Sequence, residues 1–194
     1  MGITEIERGN IMSNLENFIK LITGNFDNKE QFENFQKNGN QDYPYCEHVN
    51  TVCNGKIKNL PSDFKGIFLV EESYYTVKGH THGSSHLFLF TTEGDDVKLT
   101  SYDIPEGYNK ADFSYAKMKE VNYEDLKPSE KFNPAIFKLK DGVWKGGSES
   151  MFSPVLKFKL NEEFSEEKLV VSETMEMNGK RTFGYDDPII YKRK

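Results

Sequence analysis

Over residues 66–77 the chain is a run rich in β-branched and aromatic residues, the composition of a β-strand. On a strand, Ile67, Leu69, Glu71, Ser73 and Tyr75 fall on one side, and Phe68, Val70, Glu72, Tyr74 and Thr76 on the other, because successive side chains point to opposite faces. Shorter runs of the same kind follow over 85–92, 97–102, 135–139, 143–145, 155–160, 168–177, 181–185 and 189–192. Turn chemistry separates them. Gly94-Asp95-Asp96 and Asn178-Gly179 are hairpin signals, the latter of the preferred type. Residues 45–54 read as a strand ahead of this series, ending at Asn54-Gly55. Many short strands without interleaved helices predict an antiparallel barrel or sandwich.

The N-terminal part obeys a different period. Leu15, Phe18, Ile19 and Ile22 recur at helical spacing over 13–23, with Ser13 as N-cap, Glu16 three residues on, and Gly24-Asn25 as the stop. A second helix is predicted over 26–37, capped by Asp27 or Asn28, with Phe32 and Phe35 on its apolar side. Residues 1–11 read as a flexible extension, since the start signal Met12-Ser13-Asn14 directly precedes the helical pattern. A single β-barrel domain over 12–194 is expected. Some strands are apolar on both faces, as in Leu87-Phe88-Leu89-Phe90, which suits a barrel wall with a helix against its outside. Residues 105–133 are polar and read as a loop with a helical turn near 123–126.

Composition narrows the class of function. The 194-residue chain carries a net charge of −6 without a basic stripe, which argues against nucleic acid and against an anionic membrane surface. Its 15 Phe and 10 Tyr demand a packed interior. No run approaches the roughly 20 apolar residues of a membrane helix. The first eleven residues lack the apolar stretch of a secretory signal, so a cytoplasmic setting is expected. Two cysteines, Cys46 and Cys53, are too few for a disulfide scaffold, and their spacing fits neither a redox pair nor a zinc knuckle.

Few side chains carry recognisable chemistry. His80, His82 and His86 lie within seven residues, and His80-Thr81-His82 on a strand would share a face as metal ligands do. The neighbouring Gly79, Gly83, Ser84 and Ser85 suggest instead a solvated hairpin tip. Glu71 and Glu72 are adjacent, so one of them faces the barrel interior, where a carboxylate must be paired or hydrogen-bonded. Nucleophile elbows and phosphate-binding loops are absent; Gly146-Gly147 reads as part of a hairpin containing Trp144, the one tryptophan. Cys46 and His48 share a strand face but lack a third, orienting group.

The order of these features resembles the CpcT/CpeT family, the T-type phycobiliprotein bilin lyases. FIKLITGNFDNKEQF (18–32) is similar to that family's opening motif, IFLVEESYY (67–75) to its Glu-Gln strand, and VKLTSYDIP (97–105) to its next strand pair. Asn178-Gly179, Phe183-Gly184, Pro188 and Tyr191 resemble its closing hairpin. The likeness implies a calycin-like antiparallel β-barrel with one or two short N-terminal helices, often a homodimer, holding an open-chain tetrapyrrole for attachment to a partner's cysteine. Where the family has Tyr-Arg-x-Arg, with arginines suited to bilin propionates, this chain has Gly83 to His86, and no cysteine follows Cys53.

Three readings follow. One is a non-enzymatic barrel that binds a planar or hydrophobic small molecule, tetrapyrrole-like if the likeness extends that far. A second is a chromophore lyase that attaches a bilin to a cysteine of a partner protein. The third is a barrel filled by its own side chains, serving as an interaction or structural module. For a ligand carrier, Glu71, Tyr74, His86, Phe88 and Tyr102 are the predicted contacts. His86 or a lysine from another strand would stand in for the missing arginines.

Overall fold

The computed structural model describes residues 13–194, and the extension expected over residues 1–11 lies outside them. The expected β architecture is present: a closed ten-stranded antiparallel barrel with two short helices, consistent with a calycin-like barrel. Helix α1 (Asn14–Ile22) opens the described chain, with the Ser13–Glu16 capping box in place. Strand β1 (Gly24–Asp27), helix α2 (Lys29–Lys37) and strand β2 (Tyr45–Val52) follow. A two-residue strand β3 (Ile57–Lys58) precedes the long hairpin of β4 (Ile67–Val77) and β5 (His80–Glu93), and β6 (Asp96–Tyr102) completes the first wall. After the short β7 (Val121–Asn122) come β8 (Ala135–Lys140), β9 (Val143–Ser153), β10 (Leu156–Phe164), β11 (Leu169–Met177), β12 (Lys180–Phe183) and β13 (Ile189–Arg193).

The barrel runs β10-β9-β8-β6-β5-β4-β2-β1-β13-β11 and closes by pairing β10 with β11, while β12 extends from β11 as a hairpin ribbon. Two expectations change at the element level. Residues 24–27 form a strand between β2 and β13, so the second helix starts at Lys29 rather than near residue 26. Strand β5 begins at His80, so the histidine segment is paired to β4 while His80 and His82 stay exposed; the turn is Lys78-Gly79, both at positive φ. Gly146 and Gly147 lie inside β9, in the expected hairpin with Trp144. A Cβ on Gly146 would collide with the ring of Phe137, and one on Gly147 with the Leu160 carbonyl, so close approach requires both glycines.

Two cores flank the barrel wall. Inside, Phe18 of α1 inserts among Phe90, Phe137, Trp144 and Phe164, with ring centroids 5.0–5.8 Å away. The helix therefore plugs one end of the barrel and is not laid against its outside. Outside, Phe68, Val70, Leu87 and Leu89 are covered by the excursions over 53–66 and 103–134, which bury Cys53, Ile57, Phe113, Met118 and Leu126. This second core is why the Leu87-to-Phe90 segment is apolar on both faces. It also makes the polar-looking 105–133 segment a packed lid for the wall, tied down by Lys56 Nζ donating to the Met118 carbonyl at 2.8 Å. No helix among the described residues is long and apolar enough to cross a membrane.

The opening motif acts as a structural brace. Asn28 is buried, accepts from the Cys46 amide at 2.8 Å and donates to the Pro44 carbonyl at 3.0 Å. Gln31 bridges to β13 through the Pro188 carbonyl and the Ile190 amide, both at 2.9 Å. Gly24, at φ +130°, leaves room for Arg193, which donates to the Thr23 carbonyl at 2.7 Å.

Because Phe18 touches four aromatic rings at the plugged end, Phe18→Ala should cost about 3–5 kcal/mol in chemical denaturation and red-shift Trp144 emission. A loss below about 1 kcal/mol would contradict the plug assignment.

Candidate functional site

Alternation fixes which side chains enter the barrel. Inward from β2 come Cys46, His48 and Asn50; from β4, Leu69, Glu71, Ser73 and Tyr75; from β5, His86, Phe88 and Phe90. From β10 come Phe158, Leu160, Glu162 and Phe164, and from β11 Val171, Glu173 and Met175. The interior is thus layered. Its plugged end is aromatic and filled, its waist is polar, and its open end is an aromatic mouth.

The mouth encloses a cavity of about 410 Å³ between Tyr75, Phe132, Phe152, Phe158, Phe183 and Tyr185, with His82, Ser84 and His86 along one side. Beneath it, a chamber of about 30 Å³ lies among His48, Asn50, Glu71, Glu162 and Glu173; Glu173 lines both spaces. The chamber has room for one or two waters or the tip of a larger molecule. Around the open end, Met151, Val155, Met177 and Phe183 are exposed apolar side chains on the hairpins that form the rim.

The waist is rich in acceptors. Ser73 Oγ donates to Glu71 Oε1 at 3.3 Å and lies 3.1 Å from His48 Nε2. His48 Nδ1 lies 3.7 Å from Glu71 Oε2, and Tyr75 OH donates to Glu173 Oε2 at 3.3 Å. Glu162, only 9 % exposed, leaves its Oε2 without a hydrogen-bond partner, and Asn50, 5 % exposed, leaves its Oδ1 so.

Burial dominates the protonation of this layer. It pushes Glu71 up from an ordinary 4.5 to about 7, and raises Glu162 and Glu173 as well. His48 is pushed down to about 4 by the same cause. His86 falls to about 3 through burial, with the Lys110 ammonium 3.4 Å from its Nδ1 adding to the effect. The cation facing the cavity is therefore Lys110, delivered over the rim by the 103–134 excursion, where its backbone carbonyl accepts from the Ser85 amide at 2.8 Å.

Of the five predicted contacts, Glu71, His86 and Phe88 face the interior. Tyr74 and Tyr102 do not. Tyr74 shares the outer face with Glu72, donating to its Oε2 at 2.8 Å, while Glu72 Oε1 accepts from the Tyr115 amide at 3.1 Å. Tyr102 packs edge-on against Phe68 in the outer core. Both belong to the brace that holds the 103–134 excursion, since the register of β4 and β6 turns their side chains outward. Burial and the Lys110 ammonium favour the neutral form of His86. Glu162, Glu173 and Lys110 were missed. The first two share a strand face with apolar residues two positions away, Leu160 and Phe164 for Glu162 and Val171 and Met175 for Glu173, which was the available signal, whereas Lys110 reaches the mouth only through the path of a long loop.

His80 and His82 are exposed, and among the described residues no three His, Cys, Asp or Glu side chains are arranged to hold a metal ion. Cys46 and Cys53 are free and buried, and burial raises both thiols, Cys53 to about 12. Comparison with family models, with curated proteins and with solved structures finds no match for this chain.

Two tests follow. The folded-state value of Glu71 lies above its unfolded value, so its stabilising contribution is present below about pH 4.5 and lost as pH rises through about 7. His48 runs the opposite way, losing stability as pH falls from 6.5 through about 4. Comparing Glu71→Gln with the parent isolates the first: the variant should gain on the parent by on the order of 2–3 kcal/mol between pH 4.5 and 7, then plateau. A difference independent of pH would refute the burial of this carboxyl. Separately, a thiol-specific disulfide reagent should leave both cysteines unmodified until the protein is unfolded; rapid labelling of the native protein would contradict their placement.

Proposed function

We propose that this protein is a non-enzymatic carrier of a planar, largely apolar small molecule, held in the open half of the barrel. The single observation that carries the reading is the contrast between the two ends. Phe18 and its neighbours fill one end, while about 410 Å³ remains open among aromatic rings at the other. Pockets of a few hundred cubic ångströms, walled by aromatics with a few converging polar groups, are the usual form of small-molecule sites. A filled structural module has no use for such a space.

The resemblance to the T-type bilin lyases adds an open-chain tetrapyrrole as one planar candidate. The lyase alternative fares less well. A bilin's propionates would meet Glu71 and Glu173 with a single facing cation, Lys110, rather than paired guanidinium groups. The two thiols of the chain are also buried.

Titration with biliverdin, haem and the uncharged probe 1-naphthalenemethanol tests the reading. At least one should bind saturably at about micromolar Kd, and Ser84→Trp, which fills the mouth from β5, should weaken it by about tenfold or more while keeping the fold. If none binds, or if Ser84→Trp binds equally well, the carrier reading is wrong.

A further inference from the structure

We propose that the molecule held in this barrel is an amine: an apolar ring body in the mouth, with a protonated nitrogen directed into the chamber among Glu71, Glu162 and Glu173. This rests on the carrier reading above and specifies the chemical class of the ligand.

Hydrogen-bond inventory makes the first argument. Facing the chamber, β4 contributes Glu71, β10 contributes Glu162 and β11 contributes Glu173. The side-chain hydroxyls donating to them are Ser73 to Glu71 and Tyr75 to Glu173. Glu162 Oε2 and Asn50 Oδ1, both on side chains more than nine-tenths buried, receive nothing from the protein. Buried acceptors without donors are costly, and a ligand that supplies several donors from one atom removes that cost. An ammonium group offers three donors from one nitrogen.

Charge makes the second argument. Three carboxyl groups face one cation, Lys110, which stands at the mouth beside His86 and not within the chamber. Besides the tyrosines, His48 and Cys46 from β2 and His86 from β5 are the other titratable groups around the acids; burial favours the neutral form of both imidazoles and of the thiol. A neutral ligand would leave the acids protonated or poorly solvated. A cationic nitrogen would let them ionise and form charge-assisted hydrogen bonds, which are stronger than neutral ones. A carboxylate ligand would be opposed at the same place.

Size makes the third. About 30 Å³ at the chamber accommodates a small head group, and the adjoining cavity of about 410 Å³ accommodates a ring system between Tyr75, Phe152 and Phe158. The sharing of Glu173 between the two spaces places the amine at their junction.

The test uses three probes with one ring and different heads: 1-naphthylmethylamine, 1-naphthalenemethanol and 1-naphthoic acid, measured by calorimetry near pH 7. The amine should bind at least about tenfold more tightly than the alcohol, and the acid most weakly. Glu162→Gln and Glu71→Gln, each checked by thermal melting, should reduce the preference for amine over alcohol to about threefold or less. Glu162 Oε2 has no hydrogen-bond partner to lose, and an amide oxygen at position 71 can still accept from Ser73, so the melting check keeps the binding comparison readable. Equal binding of all three probes to the parent protein would overturn the amine assignment and leave the carrier reading standing. Retention of the full amine preference in both variants would overturn the role given to these acids. Absence of binding by all three up to about 1 mM would overturn the carrier reading together with the inference.

Discussion

Ring closure through β10 and β11 is the constraint from which the remaining features follow. Nine residue pairs, from Leu156–Met177 to Phe164–Leu169, lock the last strands of the barrel in register. A slip of one residue would exchange every inward side chain for an outward one. With the register fixed, Glu162 and Glu173 cannot reach solvent on the outer surface and must join Glu71 at the waist. Buried carboxyls are expensive unless neutral or paired, so the protein protonates them, bonds them to Ser73 and Tyr75, or leaves an acceptor open.

The two ends of the barrel divide the work. Helix α1 converts one end into solid core, because Phe18 meets a ring from each of β5, β8, β9 and β10. That packing carries stability, and it frees the opposite end from having to fill itself. There the rings of Phe132, Phe152 and Phe158 stack mainly on one another around an open space. The 103–134 excursion serves both purposes. Its apolar residues seal the outer wall, and its Lys110 and Phe132 reach over the rim into the mouth. Tyr74 and Glu72 hold it there, so substitutions at these outward-facing residues would reach the cavity indirectly.

Much of this architecture was legible in the sequence, and its limits have physical causes. The β-branched and aromatic run over 66–77 and the Asn178-Gly179 turn marked strands and hairpins correctly, since both signals are local. Strand β1 was hidden because it is only four residues long, and its first two, Gly24-Asn25, read as a helix stop. At the site, strand geometry requires one of Glu71 and Glu72 to face the barrel interior, and Glu71 and Phe88 are residues that do. Tyr74 and Tyr102 could not be separated from them, because both faces of β4 to β6 are covered and either face looks like core. Contacts made across long loops, Lys110 above all, leave no local trace. The segment over 18–32 proves to hold braces, with Asn28 and Gln31 tying α2 to β2 and β13.

An acid-lined waist inside an open barrel can be read by side-chain carboxyl NMR of glutamate-labelled protein. With the Glu71, Glu162 and Glu173 carboxyl carbons followed from pH 3 to 9, Glu71 should titrate near about 7 and the other two above the ordinary glutamate range. If all three titrate near about 4.3, as solvated glutamates do, the waist is open to water and no buried acid layer exists.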